Sequence, residues 1–395
     1  MDELENPYRP GAGNPPPALM GRDVLIDRFG VAIRRTLAGR PGKSLMPIGL
    51  RGVGKTVLLN RFCEIAQDEG VQVTYLEASE ERDFRLALSA QTRKSLLELE
   101  RGGGGRSILK ALRVLKAFTL QLPDGSSLTI DVDPLTGHAD SGILAEDLTD
   151  LLVAIGEAAQ SRNTGFLIAI DEVQYLSPDE LSALIMAVHR TTQLDLPVIL
   201  VGAGLPQLPA LTGDAKSYAE RLFDFPMIGS LEKTDAAAAL QIPAQEAGVE
   251  IDPKALKMIV DEAHGYPYFL QEWGYIVWNV APRSPIRVED VDEARPRVIK
   301  QLDENFFKVR FERLTPKEKE YLRAMAELGP GPHRSGDVAA CLGVRVESVG
   351  PRRSGLIAKG MIYSPAHGDT AFTVPLFEDF LRRALPDWRA RGRFD

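Results

Sequence analysis

The chain has 395 residues and a net charge of −8, with 44% hydrophobic and 26% charged residues; this excludes a single small domain and a disordered polyelectrolyte. Its only cysteines, Cys63 and Cys341, exclude a disulfide framework and suit a reducing compartment, so a cytoplasmic protein is expected. The most apolar runs, 166–170 and 196–205, fall short of the roughly 18 residues that a membrane span needs, so no membrane contact is expected.

The first 17 residues are rich in Pro, Gly and Asn, which predicts an extended arm over 1–20. Val24, Leu25, Phe29, Ile33 and Leu37 then recur at helical spacing before Gly39-Arg40-Pro41-Gly42, predicting a helix over 22–38. A buried strand is expected at 45–50, a glycine turn next, a helix over 55–68 and a β-branched strand at 71–76. Helices are predicted at 86–99 and 108–116, and Pro123-Asp124-Gly125 between the runs 118–122 and 128–132 signals a hairpin. These segments read as an insertion over about 100–140. Helix 143–159, strand 166–170, helix 178–190, strand 198–201 and a last strand at 225–228 complete an alternating pattern. The fold class expected over 21–230 is therefore α/β, three-layered, with a mostly parallel sheet.

Beyond it the strands stop. Three helices are predicted between 234 and 281, broken by Gly248 and by Gly265-Tyr266-Pro267, and a charged connector follows at 290–311, so 231–311 is expected to be a helical unit. Residues 312–395 read as helix 316–328, helix 335–342, a Gly343 turn, helix 346–359 and two strands at 361–364 and 370–374. That order predicts a winged helix-turn-helix with a basic tail. Residues 313–395 carry 14 Lys and Arg against 10 Asp and Glu, a surplus that suits either nucleic acid or a solvated basic surface.

The strongest chemical signal is Gly49-Leu50-Arg51-Gly52-Val53-Gly54-Lys55-Thr56, a phosphate-binding loop between a predicted strand and a predicted helix. Glycines remove the Cβ atoms that would block backbone N–H groups from a polyphosphate, and the helix N-terminus turns its positive dipole end to the anion. Lys55 is then expected to reach the β- and γ-phosphates and the Thr56 hydroxyl to ligate Mg²⁺. The strand at 166–170 ends in Asp171-Glu172, which places two carboxylates at the carboxyl edge of the sheet. Asp171 is the expected Mg²⁺ partner, and Glu172 is placed to polarise an attacking water. ATP and Mg²⁺ are the cofactors expected.

With Gly21-Arg22-Asp23 ahead of the first helix and a helical unit after the last strand, these motifs resemble an AAA+ P-loop ATPase. Asp171-Glu172-Val173-Gln174, Gly202-Ala203-Gly204-Leu205-Pro206 and Gly265-Tyr266-Pro267 are similar to the branch that holds archaeal origin-recognition-like ATPases and STAND-type NTPases. The resemblance implies a trans-acting arginine finger at Arg221, and contacts of Tyr266 and Pro267 with adenine or ribose from a lid. The sequence departs from the family in two places. It has no polar sensor residue at Gly202-Ala203-Gly204, and it has Gly-Tyr-Pro where a sensor arginine often stands, so slow hydrolysis is expected.

If helix 346–359 reads DNA, Arg345, Arg352 and Arg353 are the expected contacts, with Arg334 and His367 alongside. Pro351 and Gly350 inside that helix are expected to shorten or kink it. The expected activity is ATP hydrolysis coupled to homo-oligomerisation and to duplex-DNA work of initiator, loader or transposition-helper type. The competing expectation is a STAND-like nucleotide-gated switch whose winged helix binds a protein partner.

Overall fold

The computed structural model describes residues 1–11, 13–40, 42–79, 83–101, 105–120, 130–366 and 368–392. The chain forms two compact units, one of residues 22–49 and 55–228, the other of 1–21, 50–54 and 229–395.

The first unit alternates helices and strands. In chain order these are α1 (Asp23–Leu37), β1 (Ser44–Leu45), α2 (Lys55–Asp68), β2 (Gln72–Glu77), α3 (Phe84–Arg101), α4 (Arg106–Thr119), α5 (Leu144–Gln160), β3 (Phe166–Asp171), α6 (Pro178–Gln193), β4 (Val198–Gly202), α7 (Leu208–Ala215), α8 (Ala219–Leu222) and β5 (Phe223–Asp224). β3 lies between β2 and β4, parallel to both, with Ala169 opposite Tyr75 and Val201. β1 pairs parallel with β5, and Ile48 bridges to both Gly204 and Met227. The parallel order is thus β2-β3-β4-β1-β5. Every residue of β3 is buried, as a central strand covered on both faces requires. Phe166, Ile168 and Ile170 join a core built by α4, α5 and α6 with Leu112, Leu151 and Leu184, while α1 and α2 meet through the stacked rings of Phe29 and Phe62, 4.3 Å apart.

Four expectations are corrected here. The first strand does not run unbroken over 45–50: Pro47 has no N–H to give the ladder, which leaves β1 and then the single bridge at Ile48. The strands expected at 118–122 and 128–132 are not seen among the described residues: Phe118 and Thr119 are the last residues of α4, and Ile130 and Val132 are not in a strand. Ile108, Leu112, Leu115 and Phe118 are all buried, and their three- and four-residue spacing extends one apolar helical stripe. Residues 121–129 lie outside the described ones. The last strand is Phe223–Asp224, ahead of the expected 225–228. Finally, the helix expected over 346–359 begins only at Gly350, after a 3₁₀ turn at Val346–Ser348. Pro351 is its second residue, in the first turn where a backbone N–H has no intrahelical partner to lose, so it helps start the helix rather than kinking it.

The second unit continues with α9 (Lys233–Glu246), α10 (Pro253–Glu262), α11 (Pro267–Val280), α12 (Val288–Gln301), a π-helical segment Leu302–Lys308 and α13 (Val309–Glu312). Then come α14 (Pro316–Glu327), β6 (His333–Arg334), α15 (Ser335–Leu342), α16 (Gly350–Ala358), β7 (Ile362–Tyr363), β8 (Asp369–Phe372) and α17 (Phe377–Ala384). β8 pairs antiparallel with β6 and β7. The N-terminal arm is seated along α11. The Tyr8 ring is 2% exposed, its hydroxyl donates to the Leu240 carbonyl at 2.6 Å, and the Asn6 amide donates to the Tyr275 carbonyl at 3.0 Å. Gly274 makes room for that ring, since a Cβ there would stand 2.6 Å from it. Phe306 and Phe307 of the π segment build an aromatic core with Tyr268, Phe377 and Phe380. Among the described residues, no helix is long and apolar enough to cross a membrane.

Candidate nucleotide site

The site begins where β3 and α2 end and start. Lys55 opens α2 and is 6% exposed, and its ammonium donates to the Gly49 carbonyl at 3.1 Å. The Thr56 hydroxyl donates to Asp171 Oδ2 at 2.6 Å, joining two residues 115 positions apart. Asp171 is 3% exposed, and its other oxygen accepts from the backbone N–H of Glu172 at 2.8 Å. Burial pushes the Asp171 carboxyl above its ordinary range, with the Glu172 charge adding to the rise and the Thr56 hydroxyl and Lys55 opposing it. A buried carboxylate beside a hydroxyl is a pair of hard oxygen donors at a place where a cation would offset the desolvation. Those residues fit Mg²⁺, which takes few protein oxygens and keeps waters or phosphates for the rest.

Glu172 stands one residue past the strand with φ 53°, in the left-handed region. Its carboxylate accepts from the side-chain amide of Gln174, whose oxygen accepts in turn from the Leu205 N–H at 3.0 Å. Two groups of β2 also attend the site. The Tyr75 hydroxyl lies 3.4 Å from Asp171 Oδ2, and Glu77 is in register with Asp171 across the parallel pair. Gln174 lies inside the motif Asp171-Glu172-Val173-Gln174, which gives it no role of its own, and Tyr75 and Glu77 become legible only once β2 is known to neighbour β3.

Residues 50–54 of the loop belong to the second unit, and their contacts there are with its helical and C-terminal elements. Gly52 has φ +85° and Gly54 φ +90°, both in the left-handed region. A Cβ on Gly52 would stand 3.0 Å from the Tyr266 ring and 3.6 Å from Phe306. Tyr266, 1% exposed, donates its hydroxyl to the Arg51 carbonyl, and Pro267 is the N1 residue of α11. Arg51 also reaches the C-terminal elements: its backbone N–H donates to the Thr373 carbonyl at 3.1 Å and its Nε to the Gly360 carbonyl at 3.4 Å. Arg310, whose guanidinium lies 4.2 Å from the Phe306 ring centroid, feels both burial and the charge of Arg51, which hold it below its ordinary range. No sequence signal marks Arg310, which sits in the charged connector.

The remaining expected residues are dispersed. Arg221 is exposed on α8, and Asp224 nearby is engaged by Arg28 at 2.6 Å. Arg334 and Arg345 are exposed, Arg345 lying 3.5 Å from Glu347. Arg352 is half-buried. Arg353 is committed inside the fold, donating to the Ser364 hydroxyl at 2.8 Å and the Asp369 carbonyl at 3.2 Å. His367 lies outside the described residues.

Residues 18–201 match the family described as AAA ATPase domain, and residues 304–381 match a Domain of unknown function, DUF8462. No curated protein matches the chain. Among solved structures the chain is similar to a Walker-type ATPase of Pyrococcus abyssi, at 15% identity over 92% of this chain and 96% of that one, with a TM-score of 0.57. It is also similar to the Orc1 protein of Aeropyrum pernix in complex with DNA, at 19% identity over 93% of each chain and a TM-score of 0.45. Cdc6p of Pyrobaculum aerophilum aligns at 17% identity over 98% of each chain, with a TM-score of 0.47. The family match and the Pyrococcus likeness together establish a parallel-sheet α/β P-loop NTPase fold with a helical C-terminal region.

Proposed function

We propose that the protein is a Mg-ATP-dependent ATPase that couples ATP binding and slow hydrolysis to self-association and to work on duplex DNA. The observation that carries the reading is the Thr56–Asp171 hydrogen bond, which brings the phosphate-binding helix and the acidic strand tip together with Glu172 one residue on. Lys55 and the loop Gly49–Thr56 bind the phosphates, and Thr56 and Asp171 hold Mg²⁺, which when bound neutralises charge on the phosphate oxygens. Glu172 orients a water and takes its proton as the water oxygen bonds to the γ-phosphorus and the bond from that phosphorus to the β,γ-bridging oxygen breaks, leaving ADP and phosphate. Arg221, exposed at the end of α8, is assigned to a neighbouring subunit's phosphate, and Tyr266 and Pro267 to the base or ribose. We assign 231–311 as a lid and 312–395 as a winged helix, in which Arg334, Arg345 and Arg352 face phosphates.

The test is steady-state ATP hydrolysis by the wild type and Glu172→Gln, with and without duplex DNA at two salt concentrations. The expected result is phosphate release that falls by about a hundredfold or more in the variant and is stimulated by DNA in a salt-sensitive way. Equal rates for the two proteins overturn the role of Glu172, and DNA indifference overturns the DNA arm alone.

A second reading is favoured by the hydrogen bonds from Arg51 to Thr373 and Gly360. In it the C-terminal elements read nucleotide state directly from the phosphate-binding loop, and the protein is a switch that docks a protein partner. Slow, DNA-independent turnover with ATP-dependent assembly is its signature.

A further inference from the structure

The tip of β4 offers only Gly202-Ala203-Gly204 where a polar side chain could read the nucleotide, and the two glycines leave the space into which the turn after β3 packs. A Cβ on Gly202 would stand 2.8 Å from Val173 Cγ2, and one on Gly204 would stand 2.9 Å from Gln174 Oε1. The turn after β3 is docked into this notch, with the Val173 N–H donating to the Ala203 carbonyl at 2.9 Å. Gln174 completes the docking in both directions: its oxygen accepts from Leu205 N–H at 3.0 Å, and its amide nitrogen donates to the Glu172 carboxylate. The amide cannot be turned over without facing an oxygen to a carboxylate and a nitrogen donor to an N–H, so its orientation is fixed by its two partners.

We propose that Gln174 is the positioning residue for Glu172, carrying to it the position of the β4 tip that no side chain of that tip can carry itself. This rests on the reading of Glu172 as the group that takes the proton from water. The Glu172 carboxylate, carried on two methylenes beyond its Cα, has several rotamers open to it, and the hydrogen bond donated by the Gln174 amide selects among them. Outer partners of this kind contribute about tenfold to a hundredfold to activity without touching the reacting atoms.

Two variants separate this role from a purely structural one. Gln174→Leu removes both hydrogen bonds. Gln174→Glu is isosteric and keeps an acceptor for the Leu205 N–H, but replaces the donor to Glu172 with a repelling oxygen. Steady-state ATPase rates and the affinity for a fluorescent ATP analogue are measured for both, for Glu172→Gln and for the Gln174→Leu/Glu172→Gln pair. The expected result is a kcat lowered by about tenfold to a hundredfold in both single variants, with nucleotide affinity unchanged and no further loss when Gln174→Leu is added to Glu172→Gln. Gln174→Glu turning over like the wild type would show that the amide merely caps Leu205, and overturn the proposal. So would a loss in the double variant equal to the product of the single losses. A wild-type rate in Glu172→Gln alone overturns the ATPase role of Glu172 itself, a different failure, visible without either Gln174 variant.

Discussion

The two compact units hold their polar groups by opposite means. In the unit of 22–49 and 55–228, the chemistry stands on the ends of regular elements: Lys55 and Thr56 on the first turn of α2, Asp171 on the last residue of β3, each fixed by backbone that is itself paired. In the unit of 1–21, 50–54 and 229–395, Arg51, Tyr266 and Arg310 are placed by aromatic packing and by single hydrogen bonds to carbonyls. The lesson is that damage to the first should abolish chemistry while leaving the fold, and damage to the second should change stability and affinity while leaving the chemistry.

The sharpest way to break that contrast is Lys55→Ala. Hydrolysis should fall by about a hundredfold to a thousandfold, as for removal of one donor to developing negative charge, with an unchanged circular-dichroism melt. A large loss of melting temperature would blur the contrast. Tyr8→Ala attacks the second unit instead. Deleting a ring that is 2% exposed should cost about 3 kcal/mol in denaturant unfolding, while the protein that remains folded keeps its turnover per molecule. Arg310→Ala removes a guanidinium that lies 4.2 Å from the Phe306 ring centroid and should cost about 1–2 kcal/mol in denaturant unfolding, with kcat within twofold. A loss of kcat at unchanged stability would place Arg310 with the chemistry. Smallest of all is Arg345→Ala. The 3.5 Å pair with Glu347 is exposed, so folding should shift by about 0.5 kcal/mol or less, while the salt slope of duplex binding should drop by about one. An unchanged slope would remove Arg345 from any DNA surface.

The same contrast explains what could be read from the residues. The glycine loop and the acidic strand end were legible because each is a local pattern whose chemistry and backbone geometry are set within eight residues. The helix expected over 55–68 is α2 to the residue. Phe118 and Thr119 misled because two β-favouring residues before Pro-Asp-Gly read as a strand, whereas the apolar stripe from Ile108 through Leu115 carried the helix on. Arg310 was illegible because its neighbour Arg51 lies some 260 positions away and no spacing rule connects them. The glycines at 202 and 204 were read as a missing side chain, but in the folded molecule they are the space that Val173 and Gln174 occupy.

The left-handed backbone of Glu172 has a consequence for anyone altering this protein. A non-glycine residue at φ 53° costs about 1 kcal/mol that glycine would not. Glycine at that position should therefore survive heating better than the natural residue while having no carboxylate to offer. A selection for thermal resilience run without an activity screen would drift toward that substitution, enriching well-behaved molecules that no longer turn over.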